Sequence, residues 1–437
     1  MPLSWRRRLA VLGALCAPAA AIALGVLLAT GGGSVSTAQG AAPAAPAAPA
    51  TPVAARQHRA VVARPTPALP PLRPLSTVPK WLAPGGRLTV SGFAAPRARV
   101  TLLVGGRRIA AAAAGPRGRF VLAGRAPLRA GRFSVAVAQL GRHIAVGGAP
   151  LVVRPISLVA VGDVTFGDGV GWRIAHTSVR YPWLDVAPTL RAADITTANL
   201  EGAITDRGVR EPAKLFTFRG PASSLRSAIR FAGIDLFTLA NNHSRDYGAQ
   251  GLLDTISAVH AAGGRTIGAG RDLDAARSPA IIERGGLRIA FLAYNDVPPW
   301  NFTAQAGYPG TAPAVPADID RDVRAARRQA DLVVVWFHWG YELQLEQNGR
   351  QEELARAAFA AGAKLLLGAH AHVLLPVEAP APRSLIAWSL GNFLFVPRSP
   401  ETSRTGILRV ALDARGVVGH RLLPVRIAAE QPRLETP

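Results

Sequence analysis

An α/β fold is predicted for the larger, C-terminal part of this 437-residue chain, and two observations predict it. From residue 154 to about 430, short apolar runs alternate with helical stretches near 188–193, 221–232, 251–262, 319–330 and 350–361. That is the layout of a largely buried sheet covered by helices. The apolar runs also share an ending. Six of them give up a polar side chain of metal-ligand type at the carboxyl end, the edge where open α/β sheets bind ligands. An apolar fraction of 49% allows a full core at this length.

Ahead of that region the chain changes character three times. Trp5-Arg6-Arg7-Arg8 precedes an uncharged apolar run over 9–30, long enough to cross a bilayer. Residues 1–30 therefore read as a signal anchor or a signal peptide, with small residues at Ala38-Gln39-Gly40-Ala41 as a cleavage site. The basic flank keeps the N-terminus in the cytoplasm. The expected location is the cell membrane, single-pass with the C-terminal domains outside, or secretion if the signal is cleaved. Cys16, the single cysteine, leaves no disulfide within one chain. Residues 31–75 are low-complexity Ala/Pro, an extended linker. Residues 76–153 carry short alternating runs, such as Arg87-Leu88-Thr89-Val90 and Arg132-Phe133-Ser134-Val135, split by Gly and Pro. They predict an antiparallel β-sandwich of immunoglobulin-like type.

Charge is divided along the same line. Residues 1–162 hold 20 of the 50 Lys and Arg and no Asp or Glu, leaving 30 basic against 27 acidic groups from Asp163 onward. Such a front half attracts anions: membrane headgroups or an anionic cell-surface polymer. Nucleic acid is not expected as a partner, because export takes the protein away from it.

The apolar run over 234–239 leads to Asn241-Asn242-His243 and then, from Gly251, to a helix. The run over 156–162 leads to Asp163, that over 194–198 to Asn199 and Glu201, and that over 332–337 to His338. The run over 365–368 leads to His370 and His372, and that over 385–390 to Asn392. Asp, Glu, Asn-His, His and His-x-His make up a metal-site inventory. In an extended segment His370 and His372 would point the same way and reach one ion. Asp163 and Glu201 supply hard oxygens that suit Mn, Fe, Zn or Mg, one ion or two. The Pro/Gly-rich stretch over 295–316, with Trp300, Phe302 and Tyr308, reads as a lid or substrate wall.

Together, Gly162-Asp163-Val164, Asn199-Leu200-Glu201, Asn241-Asn242-His243 with Asp246-Tyr247-Gly248, His338-Trp339-Gly340-x-Glu342, His370-x-His372 and Leu390-Gly391-Asn392 resemble the CapA family of capsule and poly-γ-glutamate synthesis proteins. The resemblance covers about 155–425. It implies a fold similar to calcineurin-like metallophosphatases, an αββα sandwich. It further implies Asp163, Asn242, His338, His370 and His372 as ligands, Glu201 in place of a bridging aspartate, and His243 as proton donor with Asp246 orienting it. Asn199, Glu342 and Asn392 would stand behind the ligands or face the substrate. One departure stands out: metallophosphatases begin with Asp-x-His, and here Thr165 occupies the histidine position. Two activities therefore compete. One is a metal-dependent hydrolase of a phosphoester or polymer amide, and the other is a non-catalytic protein that binds or transfers an anionic polymer. An amidohydrolase-like reading fails on order, because there His-x-His belongs to the first strand.

Overall fold

The computed structural model describes residues 71–212 and 214–435. The expected signal segment over 1–30 and most of the linker lie outside them. Among the described residues no helix is long and apolar enough to cross a membrane.

The front strands form three small antiparallel or mixed sheets around one core. Arg87–Phe93 pairs with Arg119–Arg125, and Arg99–Val104 pairs with Arg107–Ala113 and Val135–Gln139. Burial alternates residue by residue in Arg87–Phe93, as a half-buried strand requires. Val90, Val100, Leu102, Leu122 and Val137 fill the interior. Arg73 and Pro74, within the stretch expected as linker, already pair with Phe93 and Gly92.

Backbone bonds join this module to the larger α/β region. Ala83 N–H donates to Gly285 O and Arg87 N–H to Gly286 O, both at 2.8 Å. Arg154 makes two bonds to Asp194, 2.6 and 2.7 Å, while its guanidinium lies 3.8 Å from the Trp81 ring centre.

Periodicity left the number of sheets open and the family resemblance implied two; the structure has two. The first runs Arg265–Ile267, Leu236–Thr238, Ile195–Leu200, Ile156–Val164, Arg404–Asp413, Gly416–Ala428, Gln431–Leu434, with Asn392–Leu394 also beside Ile156–Val164. The second runs Ala280–Arg284, Leu287–Asn295, Leu332–His338, Leu365–Ala369, Leu385–Ala387, Val377–Glu378. Leu158, Ile195 and Leu236 of the first pack against Ile289, Phe291, Trp336 and Leu367 of the second. Trp336 Nε1–H crosses between them to Thr197 Oγ1 at 3.1 Å.

The outer faces are closed by helices. Leu225, Leu252 and Val259 cover the first sheet, and Ile319, Val323, Leu354 and Ala358 the second. The result is a helix–sheet–sheet–helix stack. Both sheets end their parallel strands on the same side, since His338 at the end of one and Asn242 beyond the end of the other meet at 2.9 Å.

Candidate metal centre at the carboxyl edge of two sheets

Strand order decides which side chains meet. Asp163 and Asn199 are register partners on neighbouring parallel strands, and Asp163 also faces Asn392 across the next strand. From the second sheet, His338 is the last residue of its strand and is aligned with Ala369, just before His370. Asn242 and His243 lie in the turn between Leu236–Thr238 and the helix Gly248–Ala262, which starts three residues earlier than expected.

Asn199 Nδ2 donates to Asp163 Oδ1 at 2.8 Å, and Asn241 Nδ2 donates to Asn199 Oδ1 at 2.9 Å. His338 Nε2 and Asn242 Oδ1 face each other at 2.9 Å, one from each sheet. His372 Nδ1 lies 2.8 Å from Asn392 Oδ1 and 3.4 Å from Asp163 Oδ2, while its Nε2 lies 3.8 Å from Glu201 Oε1. Asn392 is itself fixed by donating to Thr402 O at 3.1 Å. Asp163, Glu201, Asn199 and Asp246 are fully buried.

Electrostatics follow from that burial. Desolvation pushes Asp163 above the usual carboxylate range, against the pull of the His372 charge and the Asn199 and His370 hydrogen bonds. Glu201 is raised well above it, by burial first and by the Asp163 charge next. His338 is held far below the ordinary histidine range by burial, and His370 is pushed down to about 3 for the same reason. Neutral imidazoles beside two crowded carboxylates offer lone pairs and negative charge together.

Of the eight buried side-chain atoms without a hydrogen-bond partner among the described residues, two fall here: Glu201 Oε1 and His370 Nδ1. Buried polar atoms are normally satisfied, so both need something the side chains around them do not supply. Asp163, Glu201 and His372 bring ligand atoms within 4.8 Å of one another, and so do Glu342, His370 and His372. The donor set therefore fits a divalent metal ion.

His243 sits beside the carboxylates, not among the donors. A carboxylate only accepts, so the 2.7 Å contact from His243 Nδ1 to Asp246 Oδ2 favours the hydrogen on Nδ1 over the longer, 3.0 Å approach of the Lys214 ammonium, itself a donor. Nε2 is thereby left facing Glu201 Oε1 at 3.8 Å. Burial lowers His243, opposed by its hydrogen bond to Asp246. Asp246 also accepts from Phe218 N–H at 2.7 Å and from Lys214 Nζ at 2.6 Å, so it shapes the turn as well as the imidazole. A cavity of about 220 Å³ opens over His243 and His372, walled by Phe216, Phe218, Leu343 and Phe395. A second, of about 370 Å³, is walled by Pro298, Pro299 and Asn301, so the 295–316 loop does border the site.

Residues 157–397 match the family described as bacterial capsule synthesis protein PGA_cap. The chain belongs to this family. It is 30% identical over 279 residues to the PGA biosynthesis protein CapA of Bacillus subtilis (strain 168), covering 63% of this chain and 73% of that one. It is 29% identical over 292 residues to the capsule biosynthesis protein CapA of Bacillus anthracis, with coverages of 64% and 69%. Among solved structures, a 5'-nucleotidase precursor from Thermus thermophilus superposes with a TM-score of 0.40 and 15% identity, over 64% of this chain and 55% of that one. That likeness is too loose to bear on function.

In this PGA_cap chain two expectations need correcting. His370 and His372 do not lie in an extended segment: the strand ends at Ala369, and both residues adopt left-handed backbone, φ 93° and 58°. Their rings still approach, with centroids 6.1 Å apart. Strain of this kind persists only where the surroundings impose it. Asn392, for its part, does not end the strand that begins at Leu385. That strand stops at Ala387, and the chain crosses to the first sheet, where Asn392 opens a new one. Gly391, at φ 65°, makes the crossing, and its carbonyl accepts Asp163 N–H at 2.9 Å.

Two residues were missed. Asn241 ties the edge together through Asn199, Leu200 O and the His243 N–H; it lay in the Asn-Asn-His motif, where its neighbour drew the attention. Lys214 donates to Asn242 O and Asp246 Oδ1, both at 2.6 Å, and lies 3.0 Å from His243 Nδ1. A signal existed for it: the chain holds only three lysines, Lys80, Lys214 and Lys364, among 50 basic residues.

Proposed function

We propose that this chain is an exported, membrane-tethered member of its family that acts on an anionic cell-surface polymer of the poly-glutamate kind through a divalent-metal hydrolase site. The observation that carries the reading is the buried Asp163, Glu201, His338 and His370 cluster, with half-buried His372 beside it and Glu201 Oε1 and His370 Nδ1 unpartnered. The polymer class comes from the family description and from the Bacillus relatives' names. The apolar run over 9–30 supplies the tether or the export signal. The sheet pair is taken as metallophosphatase-like, and the front strands as an immunoglobulin-like module whose arginines face the polymer.

Asp163, Glu201, Asn242, His338, His370 and His372 would hold the metal. A divalent ion there supplies polarisation of a substrate oxygen and a water acidified toward neutrality. The remaining steps belong to the chain. Asp246 holds the Nδ1 hydrogen of His243, so proton exchange occurs at Nε2, which takes the proton released by the attacking water and then delivers it to the leaving oxygen or nitrogen. Lys214 balances the Asp246 charge and pins the Asn242 carbonyl, keeping ring and amide in register. Phe216, Phe218 and Phe395 exclude water from one side. Phosphoester and polymer amide bonds both suit this arrangement.

Thr165 favours a second reading, a binder without turnover. Its hydroxyl accepts Gly167 N–H at 3.2 Å and stays within the turn, so it does not replace the missing histidine. The two readings separate at His243→Ala. For a hydrolase, this variant retains metal and polymer binding and loses turnover of phosphoester or γ-glutamyl substrates by about 10²- to 10⁴-fold, whereas Asn242→Ala loses metal. Wild-type protein that hydrolyses none of these with added Mn or Zn leaves the binder.

A further inference from the structure

Glu342 is the one carboxylate at the site that is exposed, and its backbone explains why it is there at all. Gly340, at φ 86°, turns the chain directly after Trp339; an added Cβ would meet the Gln351 side chain at 2.9 Å. Beyond that turn, Leu343 N–H donates to Ala371 O at 2.9 Å. Ala371 lies between His370 and His372, so this bond fastens the 342–343 segment to the His-x-His turn. Glu342 is thereby brought beside both imidazoles.

We propose that Glu342 is a metal ligand, forming with His370 and His372 an outer cation position at the mouth of the site, next to a buried position held by Asp163 and Glu201. Three observations support it. The ligand atoms of Glu342, His370 and His372 lie within 4.8 Å of one another. His370 is 5% exposed, and its Nδ1 has no partner. The charge balance also asks for cations: Asp163, Glu201 and Glu342 converge, while the nearest ammonium, that of Lys214, already serves Asp246 at 2.6 Å. One divalent ion leaves such a set negative, and a second reverses its sign, so the outer position is expected to be the weaker of the two.

Glu342 could instead be an ordinary solvated carboxylate or meet the substrate alone. Metal binding separates these, and the inference rests on the metal reading above. The experiment takes the full chain, strips it with chelator and titrates it with Co(II), following both heat and visible absorption. Wild type is expected to show two classes of site. Glu342→Gln should weaken the weaker class at least tenfold and change its absorption while sparing the tighter class, and Glu342→Asp should retain part of the affinity. Identical stoichiometry, affinity and spectrum in Glu342→Gln would overturn the inference alone, including the case where only KM for polymer changes. Wild type that takes up no cobalt would overturn the metal reading itself.

Discussion

At the scale of single residues, the site is governed by the cost of burying charge. Glu201 and Asp163 sit at raised pKa values because burial, the largest cause for each, disfavours their ionised forms. The sign for stability follows. With folded values above unfolded ones, these two groups subtract stability from the metal-free protein as pH rises past the ordinary carboxylate range. A divalent ion binds the ionised forms and removes that penalty, and His370, held down at about 3, stays a neutral donor throughout. The rise in Tm on adding Mn should therefore be larger at pH 8 than at pH 5, measured by calorimetry; equal increments at the two pH values would contradict it. Residue types at strand ends announced most of this in the sequence. Lys214 escaped because it comes from an irregular loop, where no periodicity says which side chain returns to the site. His370 and His372 reach the cluster through left-handed backbone, not through the strand alternation expected for them.

Among elements, the decisive junction is where Ile156–Val164 meets the turn through Gly391. The missing Cβ of Gly162 would fall 1.8 Å from Gly391 O, a backbone atom that cannot rotate away. Gly162→Ala is thus expected to destabilise the protein by about 1–3 kcal/mol and to lower metal content, because Asp163 N–H is bonded to that same carbonyl. Urea midpoints and metal analysis test both; a variant with wild-type values for each would remove this junction from the account. Helices and strands of this region were legible from apolar period and punctuation. Their division between two sheets came only through the family resemblance, because a fully buried strand reads the same in either. The crossing at Gly391 was hidden inside what looked like one apolar run.

For the whole molecule, charge and architecture separate along the chain. The front module attaches near the amino ends of the strands, at Asp194 and at the Gly285-Gly286 turn that precedes Leu287–Asn295. The cluster lies at their carboxyl ends, so cationic module and site occupy different ends of the sheets. If residues 1–162, with 20 basic groups and no acid, hold polymer through charge, retention of the chain on a poly-glutamate resin should fall steeply as salt rises, since the screening length shrinks to about 3 Å at 1 M. Retention unchanged at 1 M salt would count against it. The charge division was plain in the sequence, as was the strand-rich character of the front; the way the module docks was not, because backbone bonds at Gly285 and Gly286 carry no side-chain signature. Divalent metal at the clustered edge underlies the proposed function. Its most direct measurement is the metal content of the purified full chain beside that of the double variant His370→Ala with His372→Ala. Mn, Fe, Zn or Mg should be bound in the wild type and lost in the variant; equal metal content in the two would rule out the proposed metal site.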